Sequence, residues 1–276
     1  MQYTLFELIE NRMKQASKPL LRTRLSAQSD REELKLALEE KRERAATRYP
    51  FHEISPDLDI KISPRAKRMA LRVDSKDRSV KLVIPKRASI KSAYEFALKN
   101  ADWIKQSLAE LPQPLAFENG AIIPVMGKDR EIKITYDSSS KTTDIILKSN
   151  ELLVITNKKN VSSRIKRYLQ DLAKQEFTTL AREKALELNK TVKRVDIKDT
   201  ASRWGSCSHD GRISFSWRLV FAPYEAIDYV IAHEVAHLQH MDHSRAFWSV
   251  CRDLSDSYTK GKKWMQQNGS ELMRYG

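Results

Sequence analysis

The amino-acid sequence predicts an α+β protein: a β-rich upstream half, then a mainly helical half with a short strand ahead of a helix bearing a His-Glu-x-x-His string. Three observations predict it. Apolar and polar residues alternate with the period of a strand over residues 58–85 and again over 122–155. Over 162–189 apolar residues recur every three or four positions, as on one face of a helix. The string His233-Glu234-Val235-Ala236-His237 closes an apolar, helix-like run, Ile227-Asp228-Tyr229-Val230-Ile231-Ala232.

The elements follow in order. Residues 1–48 read as two helices, the second opened by a capping-box pattern, Ser29-Asp30-Arg31-Glu32, ahead of Leu34, Leu36 and Leu38. Pro50 closes this N-terminal extension, whose plain reading is an ornament packed on the core. Strands are expected at 58–62, 69–73 and 80–85, the last two joined by a hairpin loop at 74–78. Residues 89–111 read as one helix with Tyr94, Phe96, Ala97, Trp103, Ile104 and Leu108 on its core side, stopped by Pro112 and Pro114. A second β group is expected at 122–125, 132–136, 143–147 and 152–155, then the longest helix at 162–189 and strands at 195–197 and 213–217. Pro223 starts the His-Glu-x-x-His helix, and helices at 244–255 and 258–269 end the chain. The division expected is a helical extension (1–50), a basic β-rich region with one helix (51–160) and a domain carrying the chemistry (161–276).

Composition excludes several classes. With 276 residues, 41% hydrophobic and 31% charged, the chain can bury a sizeable core and is not of disordered composition. No apolar run approaches the roughly 20 residues of a membrane span. The first residues carry early acids and no signal-peptide core, and Cys207 and Cys251 form no Cys-x-x-Cys, so a reducing, cytoplasmic compartment is expected. The net charge of +14 divides as +3 over residues 1–50, +5 over 51–110, +5 over 111–200 and +1 over 201–276. An excess placed upstream suits an acidic partner such as nucleic acid, through the basic region. A solvated basic face is the plainer reading, because no aromatic residues interleave the basic runs.

The chemistry lies in the string. Histidines four apart share a helix face one turn from each other, so His233 and His237 can reach one metal ion. Glu234 can then reach a water beside that ion, the arrangement of zinc hydrolases. A catalytic zinc takes three protein ligands, and the candidates for the third are His240, His243 and His209. His240 would approach the same face only on a continuing helix. His243 precedes a new helix capped by Asp242 or Ser244, so it arrives from the next element and is favoured. His209 reads as a turn residue, His52 as surface, and Cys207 as a small buried thiol.

Around the string lie Ser202-Arg203-Trp204-Gly205-Ser206-Cys207-Ser208, Gly211-Arg212-Ile213-Ser214-Phe215-Ser216-Trp217-Arg218-Leu219, Ala222-Pro223, Met241-Asp242-His243-Ser244 and Phe247-Trp248. This stretch resembles the YgjP-like metallopeptidase family, densely over 200–250 and more loosely over about 55–270. A weaker resemblance runs to the SprT and Spartan proteases. The resemblance implies a zincin-like metallopeptidase core, zinc ligands at His233, His237 and His243, and Glu234 as catalytic base. Asp242 stands where the family often has asparagine; it adds a carboxylate near the metal without altering the ligand set.

The function expected is a zinc-dependent metalloendopeptidase with one Zn2+ per chain and a peptide or protein substrate. His240, Arg203, Arg218, Tyr224 and Tyr229 are candidates for substrate or transition-state contacts, and the sequence does not choose among them. The strand at 213–217 is expected to offer an edge to an extended substrate. Two alternatives compete. One is a phosphoanhydride hydrolase acting on nucleotides, with Arg203, Arg212 and Arg218 holding phosphates. The other is a nucleic-acid-binding protein with a structural zinc, against which the glutamate argues.

Overall fold

The computed structural model describes residues 48–200 and 203–276, so the two helices read at 1–48, with their capping box, lie outside the described residues apart from Arg48. The chain packs as two compact units, the first ending at Leu111 and the second running from Pro112 to Gly276. Mixed α and β elements fill both, as the α+β reading expects.

In the first unit a short helix α1 (Phe51–Ile54) precedes strands β1 (Leu58–Ser63), β2 (Ala70–Asp74) and β3 (Ser79–Pro85). The order is β1-β3-β2, with β1 parallel and β2 antiparallel to β3. The central strand is buried on both faces, which explains its run Val80-Lys81-Leu82-Val83-Ile84. The single helix expected at 89–111 is two helices, α2 (Ile90–Lys99) and α3 (Ala101–Ala109). Asn100 makes the break. Its side-chain amide donates to the carbonyl of Phe96 at 2.7 Å, and its backbone N–H turns to the carbonyl of Ala97. Asparagine competes in this way for the bonds that would continue a helix. The break also rotates Trp103 outward: it is 44% exposed, whereas Ile104 is fully buried, so Trp103 is not a core residue.

The second unit has two sheets and the remaining helices. Strands β4 (Ile122–Val125), β5 (Lys128–Tyr136), β6 (Asp144–Leu147) and β7 (Glu151–Thr156) form a sheet in the order β4-β5-β7-β6. Helix α4 (Ser162–Glu187) buries Ile165, Leu169, Ala173, Phe177, Ala181 and Ala185, a four-residue repeat that makes one apolar stripe. The second sheet has the order β8-β10-β9, from β8 (Arg194–Lys198), β9 (Gly205–Cys207) and β10 (Arg212–Ser216). Strand β10 is thus paired on both sides, in parallel with β8 and antiparallel with β9. It cannot be the substrate edge expected from its alternation; the outer strands are β8 and β9.

A 3-10 segment, Trp217–Phe221, leads into α5 (Tyr224–Ala236), which carries the histidine string; α6 (Arg245–Asp253), α7 (Tyr258–Asn268) and a 3-10 segment, Gly269–Arg274, complete the unit. Helix α7 lies very close to α5. A Cβ built on Gly261 would stand 2.0 Å from the carbonyl oxygen of Glu225 and 2.6 Å from Cβ of Tyr229. A mid-helix glycine costs about 1 kcal/mol relative to alanine, and this contact is what requires it.

Candidate metal centre

Helix α5 is buried on most of its surface, and its polar residues occupy defined places. Ile227, Ile231 and Val235 enter the core, while His233 and His237 face the opening. The helix ends at Ala236, with His237 still in right-handed helical conformation. His240 therefore does not lie on a continuing helix. Its carbonyl turns back instead and lies 3.0 Å from Nδ1 of His237. With the proton on Nδ1, that bond leaves Nε2 of His237 free as a ligand.

The turn after α5 presents His243. The carboxylate of Asp242 accepts the backbone N–H of Ser244 at 3.2 Å, and the Ser244 hydroxyl accepts that of Phe247 at 3.4 Å as the N-cap of α6. Both residues read from sequence as possible caps take part. Phe247, fully buried, then packs beneath all three imidazoles, with ring centroids 5.0 Å from His233, 4.5 Å from His237 and 4.7 Å from His243.

One ligand nitrogen from each of His233, His237 and His243 falls within 4.8 Å of the others, and Nε2 of His233 lies 3.2 Å from Nε2 of His243. Nitrogens about 2.0–2.1 Å from a tetrahedral zinc stand roughly 3.3 Å apart, so the donor set fits the ion. Burial, with His237 and His243 close by, pushes the pKa of His233 down to about 4, and burial lowers that of His237. Both imidazoles are thereby held neutral, the form that binds metal. His209 and Cys207 are outside this cluster among the described residues. Burial drives the Cys207 thiol up to about 12, so it stays protonated.

Glu234 points away from solvent, 6% exposed. Burial pushes its pKa up to about 8, against the charge of Arg203. Its side chain lies against β9. A Cβ on Gly205 would stand 2.5 Å from Cγ and Oε1 of Glu234. That clash is relieved by moving the glutamate rather than the backbone. Gly205→Ala is therefore expected to keep fold and metal content but lower turnover about 10²-fold, the scale of a 1 Å misplacement. Full activity in G205A would show that this contact does not position Glu234.

The other candidates from sequence separate. Tyr229 lies beside the cluster, its ring 6.2 Å from that of His233, and burial raises its pKa to about 12. Arg203 is exposed, with its charge acting on Glu234. Tyr224 is 49% exposed at the far end of α5, nine residues or about 13 Å along the axis from His233. Arg218 is 2% exposed, ion-paired with Asp199 and donating from Nε to the carbonyl of Tyr275 at 3.1 Å. Buried and bonded in this way, it braces the chain at Tyr275. Arg212 is paired with Asp210 at 2.9 Å. The structure thus commits two of the three arginines proposed to hold phosphates to carboxylates. Sequence reasoning missed Gly205, Phe247 as the floor of the cluster, and a group on α7. Tyr258 on α7 packs edge-on against Tyr229 at 5.5 Å.

A structural zinc site closes with four ligands and needs no base. Here three histidines converge with a buried carboxyl next to them, which places the chain in the class of metal-dependent hydrolases. The model of the YgjP-like metallopeptidase domain matches residues 67–268, well over half of the chain. The protein belongs to that family, and its domain is a metallopeptidase domain. No curated protein matches, and no solved structure does.

Proposed function

We propose that this protein is a zinc-dependent endopeptidase in which His233, His237 and His243 hold one zinc and Glu234 is the general base. The observation that carries the reading is the convergence of three ligand nitrogens within 4.8 Å next to a buried glutamate. Zinc bound there supplies Lewis acidity, lowering the pKa of a water toward 7 and polarising the scissile carbonyl. Glu234 takes the proton of the attacking water and passes it to the departing amine. Tyr229, whose ring lies 6.2 Å from that of His233, and Arg203, whose charge acts on Glu234, are the candidate donors to a developing oxyanion. Strand β9 is an outer strand of its sheet, the one that touches Glu234 through Gly205, so an extended chain paired along it would pass the metal without presenting a terminus. That supports internal cleavage. No helix among the described residues is long and apolar enough to cross a membrane, and both cysteines are free, which suits a reducing, cytoplasmic setting.

The test is metal content together with cleavage of unfolded casein. About one zinc per chain is expected, the stoichiometry of a single three-histidine site. His243→Ala should lose the metal. His240→Ala should keep it, because His240 contributes a backbone carbonyl that alanine retains. Retention in H243A with loss in H240A would mean that the third ligand is His240, and zinc-loaded protein inert toward casein would count against the peptidase reading.

A further inference from the structure

Next to the histidine cluster is a cation that neither the metal nor the general base uses. Lys262 lies on α7, one residue after the glycine that brings this helix against α5. Its ammonium stands 4.9 Å from the ring centroid of Trp248 and 5.6 Å from that of Tyr258, and donates to the Tyr258 hydroxyl at 3.4 Å. Trp248 in turn faces the cluster, its ring 5.6 Å from His233 and 5.5 Å from His243. The charge of Lys262 is also among those acting on His233. Lys262, Trp248 and Tyr258 are all partly exposed, so the group opens to solvent.

The surroundings of Lys262 differ from those of the lysines that are ion-paired. Among the described residues no carboxylate lies within 4.0 Å of its nitrogen, whereas Lys81, Lys133, Lys148 and Lys184 each have one. Its partners are two aromatic faces and a hydroxyl. These hold a cation in place by cation–π attraction without neutralising it. A fixed, uncompensated positive charge one ring away from the reacting centre is a receptor for an anion, and on a peptide that anion is a carboxylate. A charge-assisted bond to it would be stronger than a neutral one.

We propose that Lys262, braced by Trp248 and Tyr258, binds a carboxylate of the substrate and gives the enzyme a preference for acidic residues beside the cleaved bond. The proposal rests on the peptidase reading. The carboxylate has two sources, an Asp or Glu side chain or a C-terminal α-carboxylate.

The experiment digests a library of unfolded proteome-derived peptides with the zinc-loaded full-length chain and maps the cut sites by mass spectrometry. Matched peptides carrying Glu or Gln at the enriched position, each with a free or amidated C-terminus, then separate the two sources. The wild type should favour Glu over Gln about tenfold in kcat/KM, as a charged hydrogen bond allows. Lys262→Gln should bring that ratio near one, and Lys262→Glu should turn the preference toward Lys and Arg. If the free C-terminus, and not the side chain, carries the effect, the carboxylate is terminal, and the preference for acidic residues is overturned together with the reading of internal cleavage. A cut library with no acid preference, or a preference that survives in K262Q, overturns the inference and leaves the peptidase reading intact. An uncut library overturns both. Hydrolysis of nucleotides instead, lost in K262Q, would make the bound anion a phosphate and overturn the carboxylate assignment.

Discussion

Glu234→Gln is expected to lower cleavage of unfolded casein by about 10²–10⁴-fold or more, the range over which a positioned acid–base group acts, with zinc content unchanged. The size of the effect follows from the place of the side chain. Glu234 adjoins His233 in sequence, is 6% exposed and is confined by the backbone of Gly205, so no other carboxylate can readily take over its position. Glutamine has nearly the same shape and fits the same space, but it cannot accept and return a proton. Burial already drives the carboxyl pKa up to about 8, so a neutral amide suits the pocket, and metal-free E234Q should unfold no earlier than the wild type at neutral pH. Casein cleavage and zinc analysis on the same preparation make the check. Turnover near the wild-type rate with zinc bound would remove Glu234 as the base. A variant without zinc would show that the glutamate also shapes the ligand site.

The parts of this centre that were legible in the sequence are those with a short period. His233 and His237 share a face because helices repeat every 3.6 residues, and His243 was placed by the capping chemistry of Asp242 and Ser244. Strand and helix order followed from periodicity in the same way. What was not legible depends on residues distant in sequence. Strand β9 is three residues long, too short to show alternation, so neither it nor the pressure of Gly205 on Glu234 could be read. The alternation of β10 showed which of its residues face the core, but strand order decides which strand is at the edge, and that order is not in the pattern. Two signals were present and unused. Gly261 interrupts an otherwise good helix at a cost, which implies a close neighbour. Leu111-Pro112 is also where the compact units divide, and a proline that stops a helix equally suits a boundary.

Asp228 is a third such signal, an acid inside the apolar run that leads to the histidines, and its replacement should have the largest effect on stability. Its Oδ1 accepts from the Lys184 ammonium at 2.5 Å, and its other oxygen accepts from the Ser255 hydroxyl. Lys184 also donates to the carbonyl of Leu254 at 2.6 Å. One buried network therefore joins the metal helix α5, the last turn of α4 and the end of α6, the helix that begins just after His243. Desolvating two charges is expensive, and the pair is tolerated because each charge meets its partner and further hydrogen bonds. Removing one partner leaves the other buried and uncompensated. Asp228→Leu is thus expected to destabilise the metal-free protein by about 3–5 kcal/mol, and Lys184→Met by a similar amount. The double variant, Asp228→Leu with Lys184→Met, should lose much less than the sum, because no bare charge remains. Denaturant unfolding of the four proteins without metal isolates this term from any contribution of zinc. Single variants within about 1 kcal/mol of the wild type, the range of an exposed pair, would mean that water reaches the network. Additive losses in the double variant would mean that the two side chains act through packing and not through each other.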